Sequence, residues 1–382
     1  MDPELSVVMP CLDEERTVGS CVAKAIATLA RLGVEGEVVV VDNGSRDASV
    51  ASAETAGARV VTEPRRGYGN ALRRGFSAAR GRFVLMADCD ESYDLTDLER
   101  FLLRLRAGAD LVMGNRLRGE IQPGAMKWLH RRIGNPALSR FLNLLFHTGV
   151  GDSHCGMRAF RREAMARTNL RMPGMEFASE MVIKSALAGL RIEEIPITLR
   201  PDRRGRPSHL RSFRDGWRHL RFMLMCSPSA LFLVPGALIA VGGLAAIPLL
   251  VLAGYGVFTD VFGPNFLYTS AIAALAGFNL LLFGLLAKLH AARVDPVFRD
   301  PALERRMRWF TTDRGLVAGL GLMLAAAGLG LPVLLHWLAT REVPVPGLWI
   351  LACALSAIGI ETVFASFLVG ILELHRESEG SG

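Results

Sequence analysis

Acidic residues that could do chemistry stand directly behind three short apolar runs. Asp88 and Asp90 follow one run, Asp42 follows a second, and Glu14 lies just beyond a third. Two carboxylates separated by a single residue, as at Asp88 and Asp90, can face one Mg²⁺ or Mn²⁺ ion. Such an ion can in turn bind a diphosphate. A carboxylate such as Glu14 can accept hydrogen bonds from a base or a ribose. Taken singly each signal is weak, because such acidic stretches are common in solvated loops.

A sheet would bring these side chains together. Five apolar runs fit strands that are buried on both faces, and they lie at 5–9, 37–41, 58–62, 82–87 and 110–114. Helix-like stretches lie between them, at 17–32, 49–56, 69–79 and 95–107. This alternation predicts a doubly wound α/β fold with a mostly parallel sheet, in which ligands bind beyond the carboxyl ends of the strands. Neither a P-loop nor a G-x-G-x-x-G motif occurs, which argues against an NTPase and a dehydrogenase.

The second half of the chain is predicted to lie in a membrane. Hydrophobic residues make up 51% of the sequence, yet the charges are concentrated before residue 229. Four runs reach the roughly 20 apolar residues that a helix needs to cross the hydrocarbon core, at about 231–253, 267–287, 315–338 and 347–371. We therefore predict a soluble domain over 1–208, an interfacial amphipathic helix or linker over 209–228, an all-α membrane domain over 229–375 and a flexible tail over 376–382.

Arginine counting predicts the orientation of these spans. The link between the second and third spans contains six arginines, whereas the link between the third and fourth contains one and the first link none. By the positive-inside rule the arginine-rich link is cytoplasmic. The soluble domain and both termini are then also cytosolic, on an inner-membrane protein.

One carboxylate, Glu361, falls near the middle of the fourth span. An ionisable side chain there is costly and needs a partner, either Asn279 or a hydroxyl of a neighbouring helix. A lipid transporter or scramblase with a cytosolic nucleotide-binding regulator is the non-enzymatic alternative. Glu361 and Asn279 would then be the only carboxylate and amide side chains in the spans available to line a transport path, which is fewer than transporters usually have.

The net charge of +7 comes mostly from arginine, since only four of the 44 cationic residues are lysine. Arginine suits phosphate groups and anionic lipid heads, although a compositional bias explains the excess equally well. Nucleic acid is not an expected partner, because the basic stretches lack interleaved exposed aromatic residues and flank membrane spans. The six cysteines show no metal-binding spacing, so free thiols in a reducing cytosol are expected.

Several stretches together resemble the family-2 glycosyltransferases with a GT-A fold, of the polyprenyl-phosphate sugar synthase (dolichol-phosphate mannose synthase-like) type. The matching stretches are SVVMPCLDEE, VVVVDNGSRDAS, EPRRGYGNALRRGF, VLMADCDESYD, MGNRL and GDSHCGMRAFRREA. They cover about residues 5–215. The resemblance implies an inverting enzyme that uses Mg²⁺ or Mn²⁺ to move a hexose from a nucleotide-sugar to a polyprenyl phosphate at the cytoplasmic leaflet.

The resemblance also implies a role for particular positions. The residues expected to bind the nucleotide-sugar are Pro10, Leu12, Glu14, Asp42, Gly67, Asn70 and Asp88. The metal would be held by Asp88 and Asp90, and the catalytic residues would be Asp90, Arg116 and Glu180. The acceptor phosphate would be bound by Arg131, Arg158, Arg203 and Ser208. Asn43 stands where many members have a second aspartate, which leaves the detail of that contact open.

Two basic, amphipathic stretches are suited to a membrane surface. Residues 127–145 combine lysine and arginine with tryptophan and leucine, and residues 210–220 carry apolar residues at helical spacing behind a basic loop. Both fit an acceptor that arrives from the lipid. The sequence leaves open whether the protein forms a homo-oligomer, because the spans carry no decisive interface motif.

The donor and the acceptor each have an alternative. The stretch DCDESYD resembles that of bacterial family members that use UDP-glucose, which implies this donor, with GDP-mannose as the second choice. The acceptor could instead be another lipid hydroxyl, which would need a general base, so Glu180 distinguishes the two reactions. A lipid phosphate is already mostly ionised at neutral pH, since its second pKa is about 6, and needs no base.

Overall fold

The computed structural model describes residues 3–203, 212–252, 265–307, 309–343 and 345–379. Its contacts divide the chain into two compact units, Met1–Cys226 and Ser227–Gly382. The first unit is a mixed sheet with helices on both faces, and the second consists of helices.

A seven-stranded sheet forms the middle of the first unit. Its strands are β1 (Leu5–Cys11), β2 (Gly36–Asp42), β3 (Arg59–Thr62), β4 (Phe83–Met86), β5 (Leu111–Asn115), β6 (Arg158–Arg161) and β7 (Ile192–Pro196). They lie in the order β3-β2-β1-β4-β6-β5-β7, and all pairs are parallel except those that β6 makes with β4 and β5. The predicted doubly wound, mostly parallel sheet is confirmed.

Eight helices flank this sheet in the described part of the first unit. They are α1 (Val18–Arg31), α2 (Ser49–Thr55), α3 (Tyr68–Ala78), α4 (Leu98–Arg106), α5 (Asn135–Phe146), α6 (Arg162–Ala166), α7 (Phe177–Leu187) and α8 (Ser212–Met225). Val7 and Met9 of β1 join the core under α1 and α4, whereas Val8 joins the core under α3 and α7. All three are fully buried, because both faces of the strand are covered.

Strands β6 and β7 were absent from the sequence-based prediction. Strand β6 has only four residues and begins and ends with arginine, so it does not read as an apolar run. Strand β7 contains two consecutive glutamates and lies at the edge of the sheet. Neither has the continuous apolar sequence that marked the other five strands, because edge position and arginine hydrogen bonding replace apolar burial at these points.

Helix α8 realises the apolar spacing predicted for the linker and packs on α5 and α7 within the first unit. Its inner side carries the buried residues Asp215, His219 and Met223. Its outer side leaves Phe213 86% and Trp217 58% exposed. Large exposed rings beside basic residues are typical of a helix that lies in a membrane surface.

The second unit contains α9 (Val234–Leu252), α10 (Asn265–Val294), α11 (Pro301–Met307), α12 (Thr312–Thr340) and α13 (Pro346–Glu379). Among the described residues, four stretches are long and apolar enough to cross a membrane: Ser229–Ile247, Asn265–Val294, Thr312–Thr340 and Pro346–Ile371. The predicted four-span membrane domain is confirmed, and the chain is a membrane protein.

Small residues let the spans approach each other. Helix α9 packs on α10 and α12 packs on α13. A Cβ atom on Gly277 would collide with the backbone of Ala240 on the facing helix. Close backbone approach of this kind replaces the hydrophobic drive that is missing between helices in lipid.

A polar pair joins α10 to α13. The side-chain amide of Asn279 donates to Glu361 Oε1 at 3.0 Å, which confirms Asn279 as the partner of this carboxylate. The second oxygen, Oε2, is buried and has no hydrogen-bond partner among the described residues.

We expect Asn279→Leu to destabilise the helical unit by about 1 kcal/mol, because it leaves Glu361 without its donor in a buried site. Glu361→Gln keeps an acceptor for Asn279 and serves as the matched variant with a smaller loss. Thermal unfolding in detergent micelles measures both. Equal midpoints for Asn279→Leu and the parent protein would show that the pair contributes nothing.

Candidate active site

The loops that follow β1 and β2 are locked together by hydrogen bonds. The backbone N–H of Asp13 donates to Ser45 Oγ at 3.0 Å, and the N–H of Arg46 donates back to Asp13 Oδ1 at 2.7 Å. The N–H of Glu14 donates to Ser49 Oγ at 2.7 Å. Because β1 and β2 are neighbours in the sheet, these bonds make one rigid platform at their carboxyl ends.

Four predicted nucleotide-sugar ligands lie on this platform. Glu14 and Asp42 are buried, and Pro10 and Leu12 are half-buried. Asp42 accepts from the N–H groups of its own turn, Ser45 at 3.0 Å among them. Its carboxylate therefore shapes the turn as well as facing the end of the sheet.

Asn43 ties the platform to the start of α3. Its side-chain amide donates to the carbonyl oxygens of Glu63 and Arg65 at 2.8 and 3.0 Å, and its Oδ1 accepts from the N–H of Gly67 at 2.8 Å. An aspartate could accept from Gly67 but could not donate to two carbonyls. Asn43 thus fixes the segment between β3 and α3 against the loop after β2.

The start of α3 places two further predicted ligands, Gly67 and Asn70. Gly67 has φ +142°, and a Cβ atom there would collide with the carbonyl oxygen of Pro173, so only glycine fits. The N–H of Asn70 donates to the same carbonyl at 3.2 Å. The segment before α7 therefore packs directly on the start of α3.

Asp88 and Asp90 lie beyond the end of β4, beside the platform. Tyr68 donates its hydroxyl to Asp88 Oδ1 at 3.1 Å, and Asp90 Oδ1 accepts from the N–H of Ser92 at 3.0 Å. Burial, and then the charge of Asp88, raises the pKa of Tyr68 well above its usual value, so the phenol stays a donor. The hydrogen bonds fix the orientation of both carboxylates.

These two carboxylates fit a divalent cation that takes its other ligands from elsewhere. No cluster of three or more histidine, cysteine, aspartate or glutamate side chains occurs in the described parts of the chain that could hold a metal by itself. Hard oxygen ligands from two aspartates match Mg²⁺ or Mn²⁺, with the remaining positions left to diphosphate oxygens and water.

The segment after β7 folds over the aspartate loop. The N–H of Arg203 donates to the carbonyl oxygen of Asp90 at 3.1 Å, and its guanidinium lies 3.5 Å from Glu91. The N–H of Arg200 donates to the carbonyl oxygen of Ser92 at 2.9 Å. Arg203 is exposed and close to the predicted metal site, whereas Ser208 lies outside the described residues.

Arg116 follows β5 and is held by Asp152. Its Nε and Nη2 atoms donate to the two carboxylate oxygens at 2.7 and 2.8 Å. Burial alone would raise the pKa of Asp152, but the charge and hydrogen bonds of Arg116 lower it, so the pair stays ionised. The side chain of Arg116 keeps 10% of its surface exposed, and Asp152 engages its Nε and Nη2 atoms.

Glu194 of β7 holds this pair in place. Its Oε1 accepts from the N–H groups of Gly151 and Asp152 at 2.9 and 3.1 Å. Its Oε2 accepts from the side-chain amide of Asn115 at 3.1 Å. The glutamate therefore connects the strand that carries Arg116 to the loop that carries Asp152, a role that its place in an edge strand did not reveal.

Two predicted site residues lie behind the site. Arg158 is 0% exposed, and its guanidinium donates to the carbonyl oxygens of Cys155, Ala178 and Ser153 at 2.8–2.9 Å. The assignment of Arg158 to the acceptor phosphate does not agree with this geometry. Its charge is used to fix the loop between α5 and β6.

Glu180 is also 0% exposed. Its carboxylate accepts from the N–H groups of Arg171 and Met172 at 2.8–3.0 Å and lies 2.8 Å from Lys184 Nζ. A general base must reach the substrate, and Glu180 instead fixes the segment whose carbonyls contact the start of α3. These contacts favour a positioning role for Glu180 over the role of a general base.

Arg131 is exposed, as is Arg203 of the same predicted acceptor group. Arg131 lies in a π-helical turn, His130–Gly134, together with Arg132. Burial, then the charges of Lys127 and Arg116, lower the pKa of His130 in the same turn.

Sequence comparison identifies the family of the chain. Residues 6–168 match the model of glycosyl transferase family 2, and residues 285–373 match the glycosyltransferase family 2 C-terminal transmembrane region. The low-salt glycan biosynthesis hexosyltransferase Agl6 of Haloferax volcanii is 39% identical, over 97% of this chain and 89% of its own length. The chain belongs to glycosyltransferase family 2. The resemblance drawn from the motifs is confirmed, and the first unit is the GT-A domain of this glycosyltransferase.

Two further proteins are similar to this glycosyltransferase. The dolichyl-phosphate hexose transferase of Haloferax volcanii is 34% identical over 52% of the chain and 83% of its own length. The crystal structure of glucosyl-3-phosphoglycerate synthase from Mycobacterium tuberculosis, in complex with Mn²⁺, UDP-glucose and phosphoglyceric acid, is 24% identical. The match covers 58% of this chain and 79% of the synthase chain, with a TM-score of 0.47.

We expect Glu180→Ala to lower the stability of the glycosyltransferase by about 3–5 kcal/mol, because the buried ammonium group of Lys184 loses its carboxylate partner. Glu163→Ala, on the exposed side of α6, is the matched control and should leave the midpoint unchanged. Thermal unfolding followed by tryptophan fluorescence measures both. A normal midpoint combined with lost turnover would restore Glu180 to the chemistry.

We expect Glu194→Gln to lower kcat/KM about tenfold, because one of its charge-assisted hydrogen bonds to the loop or to Asn115 is lost. The neighbouring Glu193→Gln is the control, since Glu193 makes only surface ion pairs with Arg104 and Arg191. In an Arg116→Ala background Glu194→Gln should add little. Full additivity would show that Glu194 does not act through Arg116.

Proposed function

We propose that this glycosyltransferase moves a hexose, with inversion, from a nucleotide-sugar to a polyprenyl phosphate at the cytoplasmic face of the membrane. One observation carries the proposal: Asp88 and Asp90 follow β4, which pairs with β1, so they lie beside the loops after β1 and β2 at the carboxyl ends of the strands. Cys89, between the two aspartates, donates to the carbonyl oxygen of Pro10. A nucleotide on the platform would present its diphosphate to this aspartate pair.

UDP-glucose is the proposed donor. The aspartates would hold a divalent cation, which supplies positive charge against the diphosphate as it leaves. Pro10, Leu12, Glu14 and Asp42 would bind the nucleoside, because they line the platform next to the aspartate pair. Gly67 and Asn70 would face it from the start of α3.

The acceptor side favours a phosphate over a hydroxyl. Transfer forms a bond between a phosphate oxygen and the anomeric carbon, and the bond to the nucleoside diphosphate breaks with its electron pair. The lipid phosphate is already mostly ionised at pH 7, so no proton need be removed. This agrees with Glu180, the candidate base, being buried and fully engaged. Arg116, Arg131 and Arg203 would bind the phosphate, and positioning with electrostatic stabilisation would supply the rate enhancement.

A lipid acceptor also fits the surface of the first unit. Trp128 is 68% exposed and Ile133 51% exposed, in the same segment as Lys127, Arg131 and Arg132. An apolar and basic surface of this kind binds anionic membranes. The similar dolichyl-phosphate hexose transferase supports a polyprenyl phosphate in particular. The six arginines between the second and third spans support a cytosolic active site.

Asp90→Asn should reduce sugar transfer by at least about a hundredfold, because the leaving diphosphate loses its charge compensation. Asp97→Asn, which changes a surface carboxylate paired with Arg100, is the control. Transfer of radiolabelled sugar in proteoliposomes measures both, with thermal unfolding to show that the variant is folded. Wild-type turnover of Asp90→Asn would sink the metal-site assignment.

The donor and acceptor are tested by a grid of substrates. UDP-glucose and GDP-mannose are each incubated with polyprenyl phosphate, polyprenol or diacylglycerol in the same proteoliposomes. We expect a glucolipid only with UDP-glucose and polyprenyl phosphate. Product from GDP-mannose would replace the donor, and product from an alcohol would replace the acceptor.

A further inference from the structure

Two histidines and a serine lie outside the site described above and join three separate elements. We propose that His154, Ser179 and His219 form a bridge that positions α8 against the acceptor side of the site, and that this bridge sets the affinity for the lipid acceptor. The second part of the proposal rests on the proposed function, whereas the docking of α8 does not.

Ser179 of α7 is the centre of the bridge. Its Oγ lies 2.8 Å from His219 Nδ1 on α8 and 3.4 Å from His154 Nε2 in the loop before β6. The two imidazole rings meet edge to face with centroids 4.3 Å apart. One hydroxyl can donate to one ring and accept from the other, so neutral histidines satisfy the arrangement.

The bridge continues into the core on the side of His154. Ser153 Oγ lies 3.0 Å from His154 Nδ1 and 3.0 Å from Ser139 Oγ on α5. A chain of hydrogen bonds therefore runs from α5 through the loop and α7 to α8. Long chains of this kind rigidify the elements they join.

The bridge joins the loop that holds Arg116 to the helix with the exposed aromatic rings. At the inner end, His154 is two residues from Asp152, the carboxylate that grips Arg116. At the outer end, His219 is on the helix whose opposite side exposes Phe213 and Trp217. Rings of this kind insert into the headgroup region of a bilayer. Displacement of α8 would therefore move its lipid-facing side away from the phosphate-binding arginine.

Burial keeps both histidines neutral. Burial lowers the pKa of His219 to about 4, opposed by the charges of Glu176 and Asp215 and supported by Arg158. Burial, followed by His219, Arg158 and Arg116, lowers the pKa of His154 well below its usual value. When α8 detaches, the imidazole of His219 reaches water and binds a proton more readily. Protonation therefore favours the detached state, and the bridge weakens as the pH falls from about 6.5 towards 4. Above pH 6.5 the full stabilisation by the bridge is present.

The variants separate hydrogen bonding from packing. His219→Phe keeps the ring and removes the hydrogen bond, whereas His219→Asn keeps a polar atom near the position of Nδ1. Ser179→Ala removes the centre of the bridge from the other side. His147→Asn changes an exposed histidine in a left-handed turn, where asparagine is well accommodated, and is the control.

Kinetics in proteoliposomes give the first readout. We expect His219→Phe to raise the KM for polyprenyl phosphate up to about tenfold, the equivalent of one hydrogen bond, with the donor KM unchanged. His219→Asn should restore most of the affinity, and Ser179→Ala with His219→Phe should be no worse than either alone. An equal effect on both KM values, or a loss of kcat only, overturns the link to the acceptor.

Hydrogen exchange of α8 in the full-length protein gives a readout that needs no activity. With each rate compared with the intrinsic exchange rate of an unfolded peptide at the same pH, the protection of α8 in the parent protein should fall as the pH is lowered from 6.5 to 4.5, and His219→Phe should show low protection throughout. Unchanged protection of α8 in His219→Phe overturns the docking role, even if no substrate is turned over. If polyprenyl phosphate is no acceptor but α8 still loses protection, the proposed function fails and the docking role stands.

Discussion

A fully buried negative charge at Asp152 constrains the whole catalytic unit. A buried carboxylate is tolerated only with charge compensation and hydrogen bonds, and Arg116 supplies both through two donors. The compensation is geometric as well as electrostatic, because a bidentate pair fixes the plane of the guanidinium. Since Arg116 is the proposed phosphate ligand, its aim depends on where Asp152 is held.

The surroundings of Asp152 are built to hold it. Glu194 anchors the loop from the edge of the sheet through two backbone N–H groups, and Arg158 binds two carbonyls of the loop and one of α7. The histidine bridge begins two residues further along and ends on α8. The antiparallel strand β6 follows directly, so the one reversal in the sheet lies next to the loop that the site needs most.

Two glutamates illustrate how environment decides the role of a carboxylate. Glu180 is buried in the GT-A domain, where two N–H groups and a lysine satisfy it. Glu361 is half-buried among apolar spans, where a single amide reaches one of its oxygens and the other oxygen is buried. The first fastens a loop and the second joins two helices. Neither role is visible in the residue type alone.

Local sequence by itself determined the apolar runs, and so the parallel strands, the four spans and the placement of Asp42, Asp88 and Asp90 at strand ends. These follow from hydrophobic periodicity and length, which act over a few residues. Only the tertiary structure decided which charged side chains pair with each other and which are buried. Arg116 and Asp152 are 36 positions apart, and Glu194 reaches Asp152 from 42 positions away. The motifs suggested Arg158 for the acceptor and Glu180 for the chemistry, but both side chains are fully buried and bound to backbone carbonyls or N–H groups, because depth is set by the packing of whole elements, which a motif does not describe.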